Sequence, residues 1–246
     1  MKTKQNILSP KMIVEVWSDI LCPFCYIGKR QYETAMAQFA DRNHVELVWK
    51  SYQLDPTASE VASESQLDYL VKRKGMSVEQ VKGMLDNVIE YAKQVGLEYD
   101  LYNAVIVNSF KAHRLIQFAK TKGLGNAMEE RLFRAFFTEC KNVADLAILT
   151  QLGTEIGLDE TELQAAFTDD LYAYMVNQDI QEARQIGVTG VPFFVFNRKY
   201  GISGAQPAEA FLQTLETSFA EWRKDYLDTN LELLEGNVCK PNGECE

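Results

Sequence analysis

The run Met12-Ile13-Val14-Glu15-Val16-Trp17 is apolar and β-branched, and it predicts a strand. Ser18-Asp19 breaks it, and Cys22-Pro23-Phe24-Cys25 then opens a helical pattern over about 24–40. Ile27, Tyr32, Ala35, Met36 and Phe39 form the apolar face of that helix. Pro23 suits a first helical turn, where a missing N–H costs nothing. Any fold of this chain must therefore hold two cysteines at a strand-to-helix turn.

The rest of the chain restricts the fold further. Residues 45–52 (VELVWKSY) alternate and predict a second strand. From about 57 to 186 there is no convincing strand, only helical segments punctuated by Gly or Asn. These cover 78–95, 109–122, 127–140, 145–156, 160–167 and 171–186. Ser77 and Gln80 form a capping box before the first of them. After Gly187, residues 191–196 and 200–203 predict two more strands, and Pro207 opens a helix to about 222 that continues toward 234. The order β-α-β, helical block, β-β-α predicts an α/β fold with a mixed sheet of four or five strands and a large inserted all-helical domain. The expected parts are a sheet domain over 12–56 and 187–222, a helical insertion over 57–186, and a terminal helix and tail over 223–246.

The chain has 246 residues and a net charge of −10, which argues against non-specific binding to nucleic acid or anionic membranes. No apolar run approaches the ~18 residues of a membrane span, and residues 1–11 hold no apolar leader core. The expected setting is cytoplasmic. There, paired thiols do redox chemistry or bind metal more often than they staple a fold.

A thiol at a helix N-terminus is stabilised as thiolate by unpaired N–H groups and the helix dipole. The thiolate is the form that attacks a disulfide, so Cys22 is the expected nucleophile. Cys25 lies on the same helical face and can resolve the mixed disulfide. Phe24 gives Cys22 neither a hydrogen bond nor a positive charge. This points to a milder oxidant than a Cys-Pro-His-Cys pair, or to a reductant, with the ring free to meet apolar substrates. The competing readings are a zinc half-site and two inert core thiols. Structural zinc needs four close ligands, and the remaining candidates, Cys239, Cys245, His44 and His113, are scattered. No metal is expected.

Gly187-Val188-Thr189-Gly190-Val191-Pro192 leads into the apolar strand Phe193 to Phe196. A proline at the mouth of a strand fits a cis Val191–Pro192 bond; the plain alternative is trans. Set opposite Cys22, a cis-proline would leave the Val191 backbone free to pair with an extended substrate.

Both motifs, in this order and around a helical block, resemble the DsbA family of the thioredoxin superfamily, in particular its FrnE-like branch. The resemblance rests on Ser18 to Lys29, on Asn108-Ser109 with Ala112-His113-Arg114, on Gly187 to Phe196, and on Ile202 to Gln206. It implies a thioredoxin fold and disulfide oxidoreductase or isomerase activity. Cys22 would be the nucleophile, Cys25 the resolving thiol and Pro192 the cis-proline. Pro23, Phe24, Val191, Asn108 and His113 would contact substrate. Members of that branch more often carry Trp where Phe24 stands. Protein or peptide thiols and disulfides would be substrates, with glutathione or thioredoxin as electron partners and no bound cofactor. The pattern also resembles 2-hydroxychromene-2-carboxylate isomerase and kappa-class glutathione transferases, which commonly carry serine at the nucleophile position. A glutathione-dependent isomerase or transferase is thus the alternative, and the presence of both Cys22 and Cys25 favours dithiol exchange.

The remaining candidates are weaker. Cys239 and Cys245 enclose a turn-prone Lys-Pro-Asn-Gly-Glu and would make a second redox pair, or else stay incidental thiols or a metal half-site. Cys140 reads as a core thiol at a helix end, His113 as a partly buried residue, and His44 as solvated. Asp19 and Glu15 are near enough in sequence to accept a proton from Cys25, or else to be exposed or salt-bridged.

Overall fold

The computed structural model describes residues 10–62 and 65–227. Strand β1 (Met12–Ser18) is paired on both sides, in parallel with β2 (Val45–Ser51) and antiparallel with β3 (Phe193–Phe196). A strand flanked on both edges and both faces must be apolar, and Met12, Val14, Val16 and Trp17 have no exposed surface. Strand β4 (Tyr200–Ser203) completes a four-stranded mixed sheet in the order β2-β1-β3-β4. Helix α1 (Pro23–Gln38) links β1 to β2, and α9 (Ala208–Leu227) follows β4 and packs on α1.

Between β2 and β3 the chain forms α2 (Gln66–Lys74), α3 (Val78–Gln94), α4 (Phe110–Thr121), α5 (Gly125–Phe137), α6 (Leu146–Glu155), α7 (Glu160–Thr168) and α8 (Asp170–Gln185). The Ser77–Gln80 capping box is formed in both directions. An isolated bridge between Ser65 and Val105 is the β pairing of this segment among the described residues.

Three local expectations change. The sequence pattern does not predict helix α2, because Asp68, Lys72, Arg73 and Lys74 dilute its short apolar stripe. Its punctuation is nevertheless complete: Ser65 Oγ accepts from Asp68 N at 3.1 Å, and Gly75 ends it at φ 62°. Helix α5 stops at Phe137 rather than at Cys140, with the Phe137 carbonyl taken by the Asp100 N–H at 2.7 Å. Cys140 is therefore not a core thiol on a helix. It is half-buried at φ 52°, and its Sγ donates to the Asp100 carbonyl at 3.4 Å. Strand β3 starts at Phe193 because Pro192, ahead of it, has no N–H for the ladder.

The alternation of β1 separates two layers. Met12, Val14 and Val16 face α1 and α9, where Phe194, Phe196 and Phe211 fill the core. Trp17 faces α8 and packs with Ala183, Val188 and Val195. The helical block joins the sheet through aromatic rings. Phe133 of α5 stacks on Tyr26 of α1 with centroids 4.9 Å apart and meets Trp49 of β2 edge-on at 6.2 Å. Beside them, Glu130 of α5 accepts from the Tyr26 hydroxyl at 2.6 Å and from Lys29 Nζ at 2.7 Å.

Phe133 is fully buried and touches two elements outside its own helix. Phe133→Ala is expected to cost about 3–5 kcal/mol, read as a fall in the urea midpoint at unchanged m value.

Candidate active site

Cys22 is the N-cap of α1 and Pro23 its first residue. The turn that presents them is closed by Cys22 N donating to the Asp19 carbonyl at 2.9 Å and Cys25 N donating to the Cys22 carbonyl at 3.0 Å. Tyr99 Oη donates to the Pro23 carbonyl at 2.8 Å and fixes the first helical turn from the side of the helical block. The Cys22 thiol makes no capping bond. Its Sγ instead donates to the Val191 carbonyl at 3.4 Å, across the gap to the peptide bond that precedes Pro192. That bond, Val191–Pro192, is cis.

The two thiols are close but free. Cys22 is 4% exposed and Cys25 1%, so the outer sulfur is Cys22. Burial, then the neighbouring Cys22 thiol, push the Cys25 thiol well above its ordinary range, while the Asp19 backbone and the Ser18 hydroxyl pull the other way. The inner thiol is thus held protonated until something takes its proton.

Gly28 sets the distance between α1 and the proline loop. A Cβ there would lie 3.0 Å from Pro192 Cγ and 3.5 Å from Phe194 Cε2, so a side chain would push the proline away from Cys22. Phe24 projects outward at 41% exposure, 6.4 Å from the Tyr91 ring. It borders an apolar cleft of about 550 Å³ lined by Met76, Met84, Val88 and Tyr91 of the helical block.

Beneath Cys25 lies a buried polar layer of Ser18, Asp19, His113 and Glu129. Asp19 accepts from Leu21 N at 3.2 Å and from Leu54 N at 2.7 Å. His113 Nε2 stands 3.5 Å from Asp19 Oδ1 without a hydrogen-bond partner among the described residues. Ser18 Oγ donates to Glu129 Oε1 at 2.9 Å. Burial raises Glu129 to about 7 against the opposing pull of His113, Ser18 and Lys29.

The structure therefore brings together Cys22, Pro23, Phe24, Cys25, Val191 and Pro192. Asn108 does different work. Its amide accepts from Gln53 Nε2 and Phe110 N and donates to the carbonyls of Pro56 and Ala58. An amide has two acceptor sites and two donors; here three hold Gln53, Pro56 and Ala58 of the loop after β2, and the fourth takes the Phe110 N–H at the start of α4. His113 is 1% exposed and sits below the dithiol rather than on a substrate surface. Glu15 is on the opposite face of β1, bonded to Arg198 and 3.8 Å from Lys50, and so is not the partner of Cys25. Cys239 and Cys245 lie outside the described residues. Among the described residues no group of three or more His, Cys, Asp or Glu is placed to hold a metal ion. Sequence reading missed Glu129. Its signal was an acid inside an apolar helical stripe, spaced three and four positions from Leu132 and Phe133.

The family model described as a DSBA-like thioredoxin domain matches residues 13–216. A probable DsbA oxidoreductase of Streptomyces coelicolor is 40% identical with a TM-score of 0.82, over 96% of this chain and 98% of that one. The uncharacterized protein YwbO of Bacillus subtilis is 29% identical over 201 residues, 80% of this chain and 92% of that protein. The cytosolic disulfide reductase DsbM of Pseudomonas aeruginosa shares the fold at 16% identity and a TM-score of 0.56, over 88% of this chain and 100% of that one.

Glu129 has consequences for stability as well. Its folded-state value of about 7 lies above the ordinary 4.5, so folding favours the protonated acid. Stability from this group is complete below about 4.5 and is lost as pH rises through about 7. Glu129→Gln should abolish this pH-dependent component, worth about 3 kcal/mol between roughly pH 4 and pH 8. Urea unfolding of both proteins across that range, at fixed ionic strength, measures it.

Proposed function

Because the chain belongs to the DsbA-like thioredoxin family, we propose that it is a thiol–disulfide oxidoreductase acting on protein or peptide cysteines through Cys22 and Cys25. The observation that carries this reading is the approach of Cys22 Sγ to the Val191 carbonyl beside Pro192, with a second, buried thiol directly behind it.

In this reading the Cys22 thiolate attacks one sulfur of a substrate disulfide. The Cys22–substrate bond forms as the substrate S–S bond breaks, and the leaving sulfur takes a proton from solvent. Cys25 then attacks Cys22 Sγ, which forms the Cys22–Cys25 disulfide and releases the second substrate thiol. Two electrons have moved from the dithiol to the substrate, and the reverse sequence oxidises a substrate dithiol. An extended substrate would take over the Val191 carbonyl that the Cys22 thiol now occupies. The cleft beside Phe24 would accept an apolar side chain next to the substrate cysteine. Glutathione or a thioredoxin-like dithiol would return the pair to its working state, and no bound cofactor is needed because the cysteines carry the electrons. We place this activity in the cytoplasm, where thiols are kept reduced and a paired dithiol serves exchange more often than it staples a fold.

Insulin reduction by dithiothreitol tests the assignment. The wild type should accelerate it, and Cys22→Ser should return the rate to background. Cys25→Ser should accumulate a mixed disulfide with a cysteine peptide, visible by mass spectrometry. Equal rates for wild type and Cys22→Ser would sink the assignment. Tight glutathione binding without exchange, persisting in Cys25→Ser, would favour small-molecule chemistry instead.

The side chain after Pro23 should tune the direction of flow. Phe24→His brings a partial positive charge beside the Cys22 thiolate and stabilises the reduced pair. The potential against glutathione should rise by about 30–60 mV, a tenfold to hundredfold change in the exchange constant.

A further inference from the structure

Resolving a mixed disulfide requires the Cys25 proton to leave, yet Cys25 is shut off from water at 1% exposure. Ser18, the last residue of β1, is its polar side-chain neighbour. The Ser18 hydroxyl donates to Glu129 Oε1 at 2.9 Å, and Ser18 and Glu129 are each 1% exposed. The two acids on the strand side of the dithiol, Asp19 and Glu15, are committed elsewhere. Both oxygens of Asp19 accept backbone N–H groups, and Glu15 is ion-paired on the other face of the sheet. We propose that Glu129, acting through Ser18, receives the Cys25 proton in the resolving step, so that the helical block supplies the base of the thiol site. The inference rests on the dithiol reading above and adds to it the group that makes the second step run.

The step balances as follows. With Cys22 joined to a substrate sulfur, the Cys25 S–H proton passes to Ser18 Oγ while the Ser18 O–H proton passes to Glu129 Oε1. The electron pair freed on Cys25 attacks Cys22 Sγ. The Cys22–Cys25 bond forms, the Cys22–substrate bond breaks, and the substrate departs as a thiolate. The proton stays on Glu129 and returns along the same path when an external thiol regenerates the dithiol. In this step Ser18 relays the proton; Glu129 is a positioning residue that orients the serine through their hydrogen bond and accepts its proton.

The surroundings of Glu129 fit a base that works near neutrality. Ser18 faces it from β1, Asp19 from the following loop, Lys29 from α1, and His113 and Lys120 from α4. His113 and Lys29 favour its carboxylate, while Asp19 favours its acid form. A base poised near the working pH combines a useful ionised fraction with useful driving force.

The test is stopped-flow oxidation of the reduced protein by glutathione disulfide, followed by mass-resolved quench. A first phase attaches glutathione to Cys22, and a second releases it as Cys25 attacks. In the wild type the second phase should accelerate through a midpoint near 7. Glu129→Gln should slow the second phase about 100-fold at neutral pH and remove that midpoint, with the first phase changed less than about twofold. Ser18→Ala should slow the same phase, and Ser18→Thr, which keeps the hydroxyl, should restore much of it. Should Glu129→Gln not fold, the serine pair carries the test. An unchanged second phase and pH midpoint in Glu129→Gln, or both phases slowed alike, would overturn the relay. If the wild type itself releases no glutathione, the dithiol reading fails and the relay with it. Release by the wild type and equally by Glu129→Gln strikes the relay alone.

Discussion

The antiparallel pairing of β1 with β3 is the constraint from which the site follows. Trp17 lies opposite Phe193, so the C-terminal end of one strand meets the N-terminal end of the other. The loop leaving β1 carries Cys22 and the loop entering β3 carries Pro192. Both must therefore emerge at the same end of the central strands, although most of the chain separates them. The parallel β1–β2 pairing sends α1 across one face, which fixes the helix whose first turn holds the cysteines. Gly28 then allows α1 to close on Pro192. The approach of Cys22 Sγ to the Val191 carbonyl is the result of these constraints together.

The same strand also divides the chemistry between its faces. On one side, Glu15 joins Arg198, Lys50, Asp179 and Glu182 in an ion network that runs from the buried Glu15 and Asp179 out to the exposed Arg198 and ties α8 to the sheet. Asp179 further accepts the Ser51 N–H at 3.0 Å and Gln117 Nε2 at 2.6 Å. Removing one partner from such a network strands a charge and is costly, which makes it a structural device. On the other side the only polar residue of β1 is Ser18, at its very end. There it meets Cys25 and Glu129. A single pleat thus keeps the ion pairs that hold the fold away from the acid that serves the thiols.

What could be read from the sequence was whatever is encoded locally. The apolar β-branched run of β1, the Ser77–Gln80 box and the proline before Phe193 each depend on neighbours within a few residues, and each appears in the structure. Helix α2 escaped because its charged residues mask its pattern, although Ser65 and Gly75 mark both ends. Cys140 was misjudged because the apolar stripe of α5 runs up to it, while the Asp100 N–H that ends the helix comes from another part of the chain. Asn108 and His113 are expected from the resemblance to contact substrate, and the structure gives each a different setting. One spends its amide on the loop after β2 and on the start of α4, and the other faces Asp19 below the site. An acid in the apolar stripe of α5 marks Glu129 as buried, but its relation to Cys25 exists only once α5 has docked on α1.

That docking bears on why a thioredoxin-like sheet should carry so large a helical block. Burying Cys25 protects it from solvent oxidants but makes its thiolate expensive. A water-borne base would need access, and access would undo the protection. An acid buried in the same layer avoids the conflict. Glu129 is already desolvated, so when the proton moves from Cys25 to Glu129 the buried charge is relocated rather than created. The large desolvation cost of producing a new anion in a low-dielectric interior is then incurred once, at folding, and not at every turnover. The aromatic contacts of Phe133 with Tyr26 and Trp49 hold α5 at the depth where this works, one helical turn from Glu129 itself.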